Sequence, residues 1–243
     1  MYREYKSHPL LSPYIETYWV IEGFAEKYIP HLVLPDGCVD LLFILNRERD
    51  QMEPSIIGTM TTSLDVSYQG RFRTLGIRFH PGGITAFTRT PVYELTNRII
   101  DAREMETLFD SYFFEEINNR SSEEFFLYVD SYLLDKLSSV YIPDKRILHA
   151  ISLIQNSRGN TTIEELADKA CMGKRQLERH FLSATGLSPK MFSRIIRFRH
   201  TCNYLQTAPC QSLFETAIDC GYYDHAHLIK DFKSLSGYSP SEI

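Results

Sequence analysis

Leu177-Glu-Arg-His-Phe181-Leu-Ser-Ala-Thr-Gly186-Leu-Ser188-Pro189 and Leu228-Ile-Lys-Asp-Phe232-Lys-Ser-Leu-Ser-Gly237-Tyr-Ser239-Pro240 share the pattern L-x3-F-x4-G-x-S-P at an offset of 51 residues. In each copy Leu and Phe stand at i and i+4, on one face of a helix, so the opposite face must look outward. The glycine supplies the stop. A short helix and a turn of three or four residues precede each copy. The unit is a helix-turn-helix, and it occurs twice. The second helix of such a unit is the one that enters a DNA groove.

Working outward, Asp144 can cap a helix whose apolar face is Ile147, Leu148, Ile151 and Ile154, ending at Gly159. Thr162-Ile-Glu-Glu165 has capping-box spacing and opens Ile163–Ala170, and Cys171-Met172-Gly173 turns into Lys174–Thr185. Ser188 and Pro189 begin a long helix to about Gln206. Ser212-Leu-Phe-Glu215 opens another helix, ending at Gly221, and Asp224 caps the last, which Gly237 stops. Upstream, β-rich runs at Tyr14–Ile21, Ile29–Leu34, Cys38–Leu45, Ser55–Thr59 and Leu75–Phe79 alternate with turn signals such as Pro35-Asp36-Gly37. They predict a small antiparallel sheet or barrel. Helical spacing then places Met105, Leu108, Phe109 and Tyr112 on one face, and Phe126, Val129, Leu133 and Leu137 on another after Ser121-Ser122. The expected class is α+β: a β-rich domain over 1–140, whose helical tail covers about 104–138, and an all-α domain over 144–243.

Charge separates the same two halves. Residues 1–144 carry 13 Lys+Arg against 22 Asp+Glu, whereas 145–243 carry 13 against 9. A net +4 half beside a net −9 half is the asymmetry expected when one domain touches phosphate. Cys38, Cys171, Cys202, Cys210 and Cys220 show no zinc spacing and read as buried thiols. No metal or cofactor is expected. Neither a bilayer-length apolar run nor a signal-peptide layout is present, so the expected location is cytoplasmic, with no membrane partner.

Residues 145–243 resemble the DNA-binding domain of the AraC family, two helix-turn-helix units joined by a long helix. The resemblance rests on Leu166-Ala167 through Gly186-Leu187-Ser188-Pro189, on the helix Arg194-Ile-Ile-Arg-Phe-Arg199, and on Ala217-Ile-Asp-Cys-Gly221-Tyr, Phe232-Lys233 and Gly237, all in family order. The chain stops at Ile243, ahead of the short closing helix usual in the family, so a short or incomplete final helix is expected. The resemblance implies a transcription regulator, usually an activator working beside RNA polymerase, and not an enzyme.

Chemistry then assigns roles. Arg175 and Arg179 can bond guanine bidentately and Gln176 can pair with adenine, so these are the base-reading candidates of the first unit. Glu178 either accepts from cytosine or orients Arg175 or Lys174. The second unit offers His225, His227 and Lys230 as base readers, the histidines serving equally well on phosphate. Lys174, Thr161, Arg197, Arg199 and Lys233, with backbone N–H groups near Thr162 and Ser188, are the phosphate candidates.

In the first half, Leu34-Pro-Asp-Gly-Cys-Val-Asp-Leu-Leu-Phe43 and Gly76-Ile-Arg-Phe-His-Pro-Gly-Gly83 resemble the sensor-like, cupin-related domain found ahead of some AraC-type modules. That resemblance implies a small-molecule effector or homodimerisation. Tyr18, Trp19, His31, Arg78 and His80 are the effector-pocket candidates, against a barrel simply filled by its own side chains. A cupin-type enzyme is the remaining alternative, disfavoured because no His-x-His with a later Glu occurs.

Overall fold

The structure is a computed structural model that describes residues 1–46, 51–105, 108–117, 120–137, 143–207 and 212–242. The first half is a six-stranded antiparallel sheet. Its strands are β1 (Tyr2–Tyr5), β2 (Ile15–Val33), β3 (Val39–Asn46), β4 (Gln51–Ile57), β5 (Leu64–Phe79) and β6 (Ile99–Asp101), in the order β1-β2-β5-β3-β4-β6. Alternation decides the faces: Tyr18 and Val20 of β2, Leu41 and Phe43 of β3, and Leu75, Ile77 and Phe79 of β5 all point to one buried side. That side packs on α1 (Ser111–Glu116) and α2 (Ser122–Leu137) through Phe113, Phe125, Phe126, Val129 and Leu133. Phe43 meets Phe125 edge-on at 4.8 Å, and Tyr18 lies flat on Phe126 at 4.9 Å.

The strands are longer than the pattern predicts. Tyr14–Ile21 and Ile29–Leu34 are parts of one 19-residue strand, because a register shift between Ala25 and Ile29 bends β2 without breaking it. Strand β5 starts at Leu64 rather than Leu75, since Leu64–Phe72 continues to pair with the second half of β2. The first predicted helix is corrected too. Met105, Leu108 and Phe109 are buried ahead of α1, and Asp110 caps that helix by accepting the Phe113 N–H at 2.9 Å. Tyr112 is 63% exposed and belongs to no apolar face.

The second half is helical: α3 (Lys145–Asn156), α4 (Ile163–Lys169), α5 (Lys174–Thr185), α6 (Pro189–Thr207), α7 (Leu213–Asp219) and α8 (His225–Ser236). The punctuation read from the sequence is present as bonds. Asp144 caps α3, and Thr162 with Glu165 and Ser212 with Glu215 form complete capping boxes. Gly186 and Gly237 end α5 and α8 in the left-handed conformation. Phe192 and Phe198 of α6 meet Phe181 of α5 and Phe232 of α8, at 5.5 and 4.8 Å, so the linker helix holds one phenylalanine from each unit. Two buried apolar clusters result, one from Leu11 to Leu133 and one from Ile147 to Leu235. Of the five cysteines, Cys38, Cys202 and Cys220 are buried, Cys171 is exposed, and Cys210 lies outside the described residues. Burial pushes the Cys202 thiol up to about 11.

Candidate nucleic-acid interface

The two units are built alike. Ala167 and Ala217, then Ala170 and Cys220, are buried at equivalent places, and the backbone N–H of Met172 and of Tyr222 reach back to the carbonyls of Ala167 and Ala217. Each turn needs a left-handed residue after the first helix: Gly221 supplies it at φ 79°, whereas Cys171 adopts φ 50° in the first unit. Leu177 and Phe181, and Leu228 and Phe232, bury the inner faces of α5 and α8. The outer faces follow by helical geometry.

On α5, Lys174, Arg175, Gln176, Glu178 and Arg179 are all exposed. Lys174 pairs with the Glu164 carboxylate, which holds that acid below its usual range. Arg179 lies 3.4 Å from the His180 ring. On α8, His225 and Lys230 are exposed, while His227 is half-buried with its ring edge-on to Tyr222 at 5.2 Å. Lys233 is exposed near the end of the same helix.

Between the units lies a cleft of about 780 Å3. It brings together Thr161 and Thr162 from the loop before α4, Glu178 from α5, Ser188 and Arg197 at and along α6, and His227 from α8. Arg197 is less free than a solvated cation: it donates to the Gly221 carbonyl at 3.0 Å and covers the Tyr222 ring at 5.1 Å. Arg199 and Lys233 stand outside this cleft. Two cations in it were not among the sequence candidates. Lys190 sits in the first turn of α6, and Arg194 bonds Asp231 of α8 at 2.8 Å. The sequence signal for Arg194 was present in the Arg-rich linker, but its partner is 37 residues away.

The effector candidates are divided between the two faces of the sheet. Tyr18 is fully buried, with its hydroxyl donating to Asp130 at 2.7 Å. Trp19 and Arg78 share the opposite face, where Trp19 covers Gly76 and Arg78 bonds both oxygens of Asp40 at 3.0 Å. Burial raises the Asp40 carboxyl, against the pull of Arg78. His31 is exposed, its ring 6.5 Å from Tyr68, and His80 follows β5 in a turn. Among the described residues no group of three or more His, Cys, Asp or Glu could hold a metal, and no helix is long and apolar enough to cross a membrane.

Two helix-turn-helix units on one linker helix define the class of this protein. Residues 166–243 match the family described as "Helix-turn-helix domain", and residues 3–101 match "Domain of unknown function (DUF6597)". The carboxy-terminal region is an AraC-type helix-turn-helix domain. Over 102 residues the chain is 32% identical to an uncharacterized HTH-type transcriptional regulator of Haemophilus influenzae, a match covering 42% of this chain and 34% of that protein. Over 104 residues it is 28% identical to the HTH-type transcriptional activator RhaS of Escherichia fergusonii, covering 41% and 36%. The chain thus spans about a third of the length of these relatives. ToxT from Vibrio cholerae, a solved structure, aligns over 92% of this chain and 95% of its own at 11% identity, with a TM-score of 0.47.

Proposed function

We infer that the chain is a sequence-specific DNA-binding transcription regulator, divided near 140–144 into a β-rich controlling half and a DNA-binding half. The observation that carries this reading is the cleft between the units. The hydroxyl residues Thr161, Thr162 and Ser188, the cations Lys190, Arg194 and Arg197 of α6 and His227 of α8 converge there beside Glu178, on the ground between two outward-facing helices. Duplex DNA whose successive major grooves took α5 and α8 would lay its backbone across that ground. Arg175, Gln176 and Arg179 read bases in the first groove and His225, His227 and Lys230 in the second. Lys174, Thr161, Arg197, Arg199 and Lys233 grip phosphate.

The regulator is an effector-responsive activator working beside RNA polymerase in the cytoplasm, as a homodimer where its operator is repeated, and it has no catalytic role. Support for activation comes from the name of the RhaS relative. Support for an effector comes from the Trp19 and Arg78 face of the sheet, where an aromatic wall stands beside a half-buried ion pair. Selection of duplexes from a random pool by the full chain tests the reading. Recovery of a common motif supports it, and a pool that stays random overturns it. The effector is tested through Trp19, the only tryptophan: a metabolite that shifts both its emission and the melting temperature supports the pocket. A broad screen without either favours a first half that only dimerises.

A further inference from the structure

The segment between β4 and β5, residues 58–63, is bonded to the ends of both reading helices. Thr59, fully buried, donates its hydroxyl to the carbonyl of Thr185, the last residue of α5, at 2.8 Å. Four residues on, Ser63 donates its hydroxyl to the carbonyl of Ser236, the last residue of α8, at 3.0 Å. Thr185 and Ser236 are the same position of the repeat, and each caps its own helix by the same pair of hydroxyl bonds. Two further bonds reinforce the pair: Thr96 donates to the Gly186 carbonyl at 2.8 Å, and the Ser63 N–H to the Leu235 carbonyl at 2.8 Å. Helix C-termini present unpaired, partly negative carbonyls, so these donors meet a real demand.

The segment is itself held firmly. The Gly58 N–H bonds the Arg98 carbonyl, and a Cβ on Gly58 would fall 1.8 Å from the Leu95 carbonyl oxygen, so the chain lies flat on the turn that follows Pro91. Asn97, at φ 56°, accepts the Thr61 N–H at 2.7 Å while its own N–H bonds the Thr59 carbonyl. Four residues of chain reach at most about 14 Å. Two equivalent atoms of the repeated units are therefore tied to points whose separation the first half dictates.

We propose that Thr59, Ser63 and Thr96 are positioning residues that fix the distance between the two reading helices, and so set which spacing of half-contacts on DNA the protein accepts. This rests on the DNA-binding reading for its consequence but not for its geometry. Linker helix α6 sets one side of the spacing, and the bracket sets the other. A change in the first half that shifts the 58–63 segment reaches both helices at once, which gives that half a direct route to the reading surface.

Pulsed dipolar spectroscopy on the full chain tests the geometry without DNA. Nitroxides go on Glu178→Cys of α5 and Ser234→Cys of α8, in a Cys171→Ser, Cys210→Ser background. The expected result is a narrow distance distribution that widens in Thr59→Val, Ser63→Ala, and narrows again when Thr59→Ser replaces Thr59→Val. Equal widths in all three proteins overturn the proposal. The second arm uses a selected operator with its half-contacts moved apart by two base pairs. The native chain should lose about tenfold in affinity on that duplex, and the Thr59→Val, Ser63→Ala chain less than about threefold. A uniform loss at every spacing overturns the role in spacing. If the distances respond as expected but no duplex is bound, the bracket stands and the DNA-binding reading falls.

Discussion

Arg179 is exposed on α5, and its guanidinium fork can satisfy both acceptors of a guanine edge. Arg179→Ala should therefore weaken operator binding by about 1–3 kcal/mol and relax preference at the base it reads. His227 is the poorer candidate reader, because its ring is already packed against Tyr222 and its own backbone N–H donates to the Asp224 carboxylate at 2.7 Å. His227→Ala should cost less. Anisotropy titrations with the operator and its single-base variants measure both, and a larger loss from His227→Ala would reverse the assignment. A second residue-scale test lies in the turns. Cys171 is exposed and holds the left-handed conformation that Gly221 adopts in the other unit, so Cys171→Gly should stabilise by about 0.5–1 kcal/mol. Gly221→Ala should destabilise by more than that gain, since its Cβ would also fall 2.1 Å from the Asn160 side-chain oxygen. A lower melting temperature for Cys171→Gly would show that the turn carries no such strain.

The elements of the second half are held by caps and by an ion pair whose acid is buried. Asp231 is 3% exposed and takes both an Nε and an Nη2 bond from Arg194, joining α8 to α6. Asp231→Ala would leave the Arg194 charge without its partner, a loss of about 3 kcal/mol, at the low end for buried pairs because Arg194 is partly solvated. Urea unfolding measures it, and a change below about 1 kcal/mol would mean that water replaces the carboxylate without cost. Thr162→Ala and Ser212→Ala should each cost about 1 kcal/mol by removing one half of a capping box. These helices were legible because their signals are local: a cap, an apolar face and a glycine stop all lie within a dozen residues. Strand β2 was not, because Glu22–Tyr28 mixes charge, glycine and aromatic residues, and it is pairing with distant β5, up to Ala25 and again from Ile29, that makes one strand of the two runs. Tyr112 misled for a related reason, its apolar character suggesting a buried face that the Asp110 cap turns toward solvent.

For the whole molecule, the division of charge predicts how binding responds to salt. The basic half must displace counterions from phosphate, so log affinity should fall with log salt by about 0.9 for each phosphate neutralised, and the acidic half adds nothing to that slope. The outward residues of both reading helices could be named from sequence alone, since the repeat fixes which face of each helix is inward. What the repeat cannot show is the bracket, whose partners stand 126 and 173 residues apart. Nor could the pattern place Tyr18 on the core side of the sheet and Trp19 on the other, because a strand's faces alternate without declaring which is covered by helices. One chain should press two helices into successive major grooves, joined by the 19-residue α6, about 28 Å long. Methylation interference on a selected operator reads this placement out base by base. Two clusters of interfering guanines and adenines are expected, about 10 bp apart on one face of the duplex. Interference confined to a single groove would contradict it.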